Sequence, residues 1–256
     1  MQILKKLALE ISRFILKRNP DLSPRIESLA RSVQGLNEND TQFFLELYKE
    51  LLQHSKSHLR QDIFVLHELQ FKRNGYFVEF GAANGVRSSN TYLLEKQFDW
   101  TGILSEPARV FHGHLRENRT ATIDTRCVWK ESGKMIEFLE CSEPELSTID
   151  NFADADMHAE ARRNGKTYMV ESVSLMDLLA QHDAPPVIDY LSIDTEGTEL
   201  EILSEFDFKK YNIKVITCEH NYSPRRDQLT NLLTKNGYER KFQNISRFDD
   251  WYVKSL

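Results

Sequence analysis

Residues Asp189 to Leu203 read DYLSIDTEGTELEIL, an apolar strand-like half running into a helix-like half. The join carries Asp194, Glu196, Glu199 and Glu201. Carboxylates at such a place could orient or deprotonate a hydroxyl, hold a divalent cation, or complement a helix N-terminus. The next apolar run, IKVITCEHN, ends in Glu219, His220 and Asn221. Two catalytic schemes fit these residue types. In one, His220 takes a proton near neutral pH, Glu219 or Asp194 orients its ring, and Glu196 faces the pocket mouth. In the other, Asp194, Glu219 and His220 hold Mg2+ or Mn2+, which favour oxygen donors and keep open positions for water. Glu199 and Glu201 follow Gly197 and suit the first turn of a helix.

An earlier strand-like run, YFVEFGAANG, supplies Glu79, Gly81, Ala82, Asn84 and Gly85. It is neither the dinucleotide G-x-G-x-x-G nor a P-loop, since no G-K-[ST] follows. Gly81 lets a ligand approach the backbone, and Gly85 suits a positive φ. Glu79 sits among Tyr, Phe and Val, where a lone carboxylate is costly, so a cationic ligand amine would suit it. The following run, TGILSEP, ends at Glu106-Pro107. An acid ending a second strand is placed to accept bonds from both ribose hydroxyls, and it also suits a helix cap with Pro107 at the first helical position.

These residues need a scaffold, and the chain spells one out. Apolar runs and helical segments alternate from residue 76 to residue 237, the pattern of a doubly wound parallel sheet. The runs are YFVEF, TGILS, ATIDTRCVW, VIDYLSID and IKVITCEHN, with ESGKMIEFLE as an extra strand and ERKFQ and DDWYVKSL as a closing pair. SSNTYLLEKQ, ARVFHGHLRENR, SVSLMDLLAQ, TELEILSEF and RRDQLTNLLTKNGY read as helices. Residues 142 to 170 are polar and aperiodic, which predicts a long loop or lid whose Arg162, Arg163 and Lys166 could meet a phosphate or carboxylate on a substrate. His54, His58, His67, His112 and His114 read as structural.

Residues 1–57 form an N-terminal helical extension, and residues 58–256 the main domain. Ile3, Leu7, Ile11 and Phe14 make an apolar face opposite Lys5, Lys6, Arg13 and Lys17. That face suits packing on the domain, a homodimer contact or peripheral contact with an anionic membrane. The net charge of −6 argues against a nucleic-acid partner. Three widely spaced cysteines and the lack of a long apolar stretch or a cleavable leader fit a cytoplasmic protein.

YFVEFGAANGVRSSNTYLLE, TGILSEP, SLMDLL and IDYLSIDTEGTELEIL, in this order and spacing, resemble the FkbM-type family of S-adenosylmethionine-dependent methyltransferases. The likeness runs from about His58 to Lys254, with QDIFVL before the first strand and WYVKS at the end. It implies a Rossmann-like, seven-stranded class I methyltransferase sheet behind the N-terminal helical extension. Glu79, Gly81, Ala82, Asn84 and Gly85 would line the methionine part of the cofactor, with Ser89 and Asn90 beside them; Glu106 would hold the ribose, and Cys127 and Val128 would flank the adenine. Asp194 would complete that set. Asn84 departs from the family, where an acidic residue is common. The implied activity is O-methylation of a sugar hydroxyl on a glycan or small-molecule acceptor. The alternatives are N- or carboxyl-methylation of a small molecule, or a non-catalytic interaction module.

Overall fold

The computed structural model describes residues 50–152, 159–163 and 165–255. The expected N-terminal helices before residue 50 lie outside the described residues. The chain opens with α1 (Gln61–Glu68), β1 (Tyr76–Phe80), α2 (Tyr92–Phe98), β2 (Thr101–Ser105), α3 (His112–Asn118) and β3 (Thr122–Asp124). A second group follows: β4 (Cys127–Trp129), β5 (Met135–Glu140), β6 (Thr148–Ile149), α4 (Ala159–Arg162) and β7 (Lys166–Ser174). The chain then returns to the first pattern with α5 (Leu175–Gln181), β8 (Val187–Ile193), α6 (Glu199–Ser204), β9 (Asn212–Glu219), α7 (Arg226–Lys235), β10 (Tyr238–Lys241) and β11 (Asp249–Lys254).

Seven strands form the main sheet in the order β10-β11-β9-β8-β1-β2-β3. All neighbours from β9 to β3 pair in parallel, and β11 runs antiparallel between β9 and β10. This is the seven-stranded Rossmann-like arrangement the resemblance implies. Its central strands β1, β8 and β9 are largely apolar because both faces are covered. Val78, Phe80, Leu191 and Ile216 pack on one side with Leu178, Leu203 and Leu233. Phe77, Leu104, Tyr190 and Val215 pack on the other with Ile63, Leu66, Leu93 and Trp251. Strand order reverses between β1 and β8, so the loops leaving these two strands part and open a crevice at their carboxyl ends.

Asp189 belongs to the opposite end of β8. It accepts from Lys72 at 2.7 Å, Lys214 at 2.9 Å and the backbone N–H of Tyr76 at 3.0 Å. Burial alone would raise its pKa, but the hydrogen bonds from Lys214 and Lys72 hold it below the usual range.

Between residues 142 and 170 the described residues include β6 and the start of β7, which join β4 and β5 in a second, four-stranded sheet where the sequence predicts a loop. Along β7, Tyr168, Val170 and Ser172 turn inward while Thr167, Met169 and Glu171 face out. That is a period of two written in mostly polar letters. The helix expected from Ser172 begins only at Leu175, where the Ser174 side chain accepts from the Asp177 N–H at 3.1 Å as N-cap. The run ATIDTRCVW also splits. Its first half is β3, and Cys127–Trp129 crosses to pair with β7. Among the described residues no helix is long and apolar enough to cross a membrane.

Candidate active site

A cavity of about 340 Å³ lies at the carboxyl ends of β1, β2, β8 and β9, and the small sheet roofs it with Phe138, Thr148 and Ile149. Its floor is where β1 and β8 end. Gly81 has φ +71°, and a Cβ there would stand 2.0 Å from the Asp194 carbonyl oxygen. Only glycine allows the two backbones this approach.

Glu79 lines the cavity and is 3% exposed. It accepts from the Asn90 N–H at 2.7 Å, from Ser89 Oγ at 3.1 Å and from Thr91 Oγ1. Its cation is internal. Arg119 Nη1 lies 3.6 Å from Glu79 Oε2, and Arg119 Nε lies 2.8 Å from Glu95 Oε2. The guanidinium also donates to Gly85 O at 3.1 Å, Ser89 Oγ at 3.0 Å and Thr91 Oγ1 at 2.8 Å. A buried carboxylate needs a partner, as the sequence suggests, and the fold supplies Arg119 while Glu79 also lines the cavity. Gly85 serves this arginine, because a Cβ there would meet Arg119 Cγ at 2.6 Å.

Glu106, at the end of β2, receives the Ala83 N–H on one oxygen and the Ala108 N–H on the other, both at 2.7 Å. It therefore ties the loop after β1 to the segment after β2. Burial pushes its pKa up to about 7, against the pull of the two backbone bonds. A carboxylate offers about four acceptor positions, so capacity remains for ligand hydroxyls.

Of the other residues expected to hold a cofactor, Asn90, Cys127, Val128 and Asp194 line the cavity. Ala82, Asn84, Gly85 and Ser89 stand behind its wall and shape the loop. Asn84 Oδ1 accepts from the Val86 and Arg87 N–H groups at 2.9 and 2.8 Å. Asn90 is bridged on both sides, donating to Ser192 Oγ at 2.9 Å and accepting from Ser57 Oγ at 2.6 Å.

The acidic end is built by β8 and β9. Asp194, Glu196 and Glu219 bring oxygens within 4.8 Å of one another. Glu196 has φ +56° and is fixed from three directions. Arg162 Nη2 donates to its carboxylate at 2.8 Å, Asn221 Nδ2 donates at 3.2 Å, and Thr148 Oγ1 donates to its carbonyl at 3.0 Å. Asn221, itself at φ +42°, also donates to Glu219 Oε2 at 2.7 Å. Burial first, then the charges of Asp194, Glu196 and Glu199, hold the Glu219 pKa well above the usual carboxylate range. A hydrogen bond joining Glu219 to Asp194 adds to this rise.

His220 does not join this group. Consecutive side chains on extended backbone point to opposite faces, so Glu219 facing the cavity turns His220 away. The His220 Nδ1 accepts from the Tyr222 N–H at 3.0 Å, and Nε2 lies 3.8 Å from Asp250 Oδ1. Burial lowers its pKa. Neither the base role nor the ligand role expected of it fits this geometry, and Glu196 takes its place beside Asp194 and Glu219. Arg162 is not available to a substrate anion either, since it is 1% exposed and paired with Glu196. Arg163 pairs with Glu160 in solvent at 3.7 Å, and Lys166 is exposed at the start of β7. Glu199, read from sequence as a helix-start charge, is buried. One of its oxygens accepts from Thr195 N, Thr195 Oγ1 and Gly197 N at 3.0 to 3.1 Å, clamping the turn beneath Glu196. Glu201 pairs with Arg225.

The buried acids make stability depend on pH. Desolvation raises Asp62 to about 6, Glu199 to about 7 and Asp249 to about 8. In the folded chain these groups hold protons that the unfolded chain releases near pH 4. Their contribution is therefore complete below about pH 4 and fades as pH rises through the folded values. The thermal midpoint of the ligand-free protein should fall between about pH 5.5 and about pH 8.5. An unchanged midpoint would show that these acids are ionised in the fold.

A Rossmann-like sheet with an open crevice at its switch point, a glycine floor and an acid ending β2 is the arrangement of a nucleotide-binding α/β fold. Residues 79–248 match the Methyltransferase FkbM domain, and the chain belongs to that family of S-adenosylmethionine-dependent methyltransferases. No curated protein matches the sequence. Among solved structures, the ribosomal protein L11 methylase of Lactobacillus delbrueckii subsp. bulgaricus is 7% identical with a TM-score of 0.39, covering 77% of each chain. The CurJ carbon methyltransferase is 10% identical with a TM-score of 0.35, covering 95% of this chain and 70% of its own.

Proposed function

We propose that this methyltransferase acts on oxygen, methylating a hydroxyl of a sugar or similar polyhydroxylated acceptor, with the Asp194–Glu219 pair receiving the proton. One observation carries the reading. The cavity has two chemically different ends: Glu106 with Cys127 and Val128 at one, and Asp194, Glu196 and Glu219 within 4.8 Å of one another at the other. The first end fits the cofactor. Glu106 has acceptor capacity for ribose hydroxyls, Cys127, Val128 and Phe138 offer an apolar wall to a base, and Gly81 admits a ligand close to the backbone.

S-adenosylmethionine, when bound, supplies an electrophilic methyl group: the acceptor oxygen takes the methyl carbon, the C–S electron pair stays on sulfur, and the hydroxyl proton goes to the carboxylate pair. The chain's own part is positioning and proton acceptance. Asn221 and Arg162 fix Glu196 and Glu219, so the acceptor hydroxyl meets an oriented carboxylate. On this reading the raised pair shares a proton, which it must lose before it can accept another. Activity should therefore rise with pH through the pair's upper apparent pKa, which lies above the ordinary carboxylate range. A carboxylate acceptor would meet like charge at this end, which disfavours methyl-ester formation.

The same three oxygens favour one second reading, in which Asp194, Glu196 and Glu219 hold Mg2+ or Mn2+ to bind the acceptor oxygen. Full activity after treatment with a chelator would remove it. The main reading is tested with methyl-labelled S-adenosylmethionine and a panel of sugar, amine and carboxylate acceptors, followed by mild alkali. Label that stays on a sugar product supports O-methylation. Label released as methanol, or carried only by amines, contradicts it.

A further inference from the structure

We infer that His58 and Arg87 form the subsite for the carboxylate of the cofactor's amino-acid tail; this rests on the cavity being the cofactor site. Among the described residues lining the cavity, His58 and Arg87 are the basic side chains, and every other charged lining residue is a carboxylate. The amino-acid tail of S-adenosylmethionine ends in a carboxylate, which would be repelled everywhere else in this cavity. With its nucleoside end at Glu106, Cys127 and Val128, as proposed above, the tail would point towards Gly81, Asn90 and the rim beyond them, all of which line the cavity. That rim is where His58 and Arg87 stand.

Both residues are placed by built structure. Ser57 and Ser88 form a parallel bridge, which sets the turn carrying His58 against the loop carrying Arg87. Ser57 is fully buried and donates to Asn90 Oδ1 at 2.6 Å. Arg60 Nη1 donates to Ser57 O at 2.8 Å, and Gln61 Nε2 donates to Asp249 Oδ2 at 2.6 Å. The turn is thus clamped between the β1 loop and the start of β11. The exposed His58 ring lies 5.2 Å from the Phe248 ring, which also lines the cavity. The Arg87 backbone is fixed by Asn84 Oδ1 at 2.8 Å, while its guanidinium reaches Glu145 at 3.0 Å with 74% of the side chain exposed. Such an exposed pair contributes little, so exchanging Glu145 for a ligand carboxylate costs little. His58 precedes the residues matched to the family domain, so this half of the subsite comes from the junction with the N-terminal extension.

The test is calorimetric, with S-adenosylhomocysteine and its decarboxylated analogue, which keeps the amine. The unaltered protein should bind S-adenosylhomocysteine more tightly than the analogue. His58→Ala and Arg87→Ala should each weaken S-adenosylhomocysteine on the order of tenfold and leave the analogue unchanged, with Arg87→Lys recovering part of the loss. Equal affinity of the unaltered protein for both ligands would overturn the subsite and leave the cofactor site standing. Equal losses for both ligands in the variants would assign the two residues a structural role and overturn it as well. Failure of S-adenosylhomocysteine to bind the unaltered protein would overturn the site itself.

Discussion

Glu219→Gln should lower kcat by roughly 10²–10⁴-fold and leave the affinity for S-adenosylhomocysteine unchanged. Asp194→Asn should have the same effect on turnover. In the proposed mechanism the two carboxyls act as one proton acceptor. Burial and mutual repulsion raise Glu219, a hydrogen bond joins it to Asp194, and an amide at either position cannot take the acceptor's proton. Because the residues act as a unit, the double variant should lose little more than either single one. His220→Gln is the informative companion. Its ring packs against Tyr222 and faces Asp250 behind the sheet, so the substitution should cost stability and spare kcat. A collapse of kcat in His220→Gln, with Glu219→Gln active, would restore the histidine base and refute the carboxylate one.

Glu106→Ala should weaken S-adenosylhomocysteine by about 10²-fold or more, since the proposed role of Glu106 has it accept two charge-assisted bonds from ribose hydroxyls at about 1.5–3 kcal/mol each. Glu106→Gln should fail too. Both Glu106 oxygens already accept backbone N–H groups, and an amide must turn its own N–H towards either Ala83 or Ala108. The unusual protonation of Glu106 gives a second readout. Its pKa stands at about 7 in the free protein, and hydroxyl donors favour the charged form. Ligand binding near neutral pH should therefore release protons, seen as a dependence of the calorimetric heat on the buffer's ionisation enthalpy. Binding with no proton release and full affinity in Glu106→Gln would remove Glu106 from the site.

The sheet was legible because its strands are buried on both faces and so appear as unbroken apolar runs between helices. The runs containing β1, β8 and β9 announce themselves in this way. The small sheet was not legible. The outer face of β7 carries Thr167, Met169 and Glu171, so the alternation of a half-exposed strand looks like a polar loop. At the site, acids ending strands were readable as a class, whereas the direction of each side chain was not. Glu219 and His220 are adjacent in sequence and equally suited to chemistry, yet the pleat sends them to opposite sides of the sheet. The partners of Glu79 and Glu196 were hidden for a different reason. Arg119 ends a helix-like segment and Arg162 lies in a polar one, and only tertiary folding brings them against carboxylates distant in the chain. Nothing in their local sequence separates them from solvated arginines. His58 is a similar case, placed at the rim by the Ser57–Ser88 bridge.

The division of the cavity into a cofactor end and a proton-accepting end can be tested in one calorimetric experiment, titrating S-adenosylhomocysteine into the unaltered protein, Glu106→Gln and Glu219→Gln. The expected result is one site per chain, severely weakened by Glu106→Gln and untouched by Glu219→Gln. Equal losses in both variants, or a loss in Glu219→Gln alone, would contradict the assignment of the two ends.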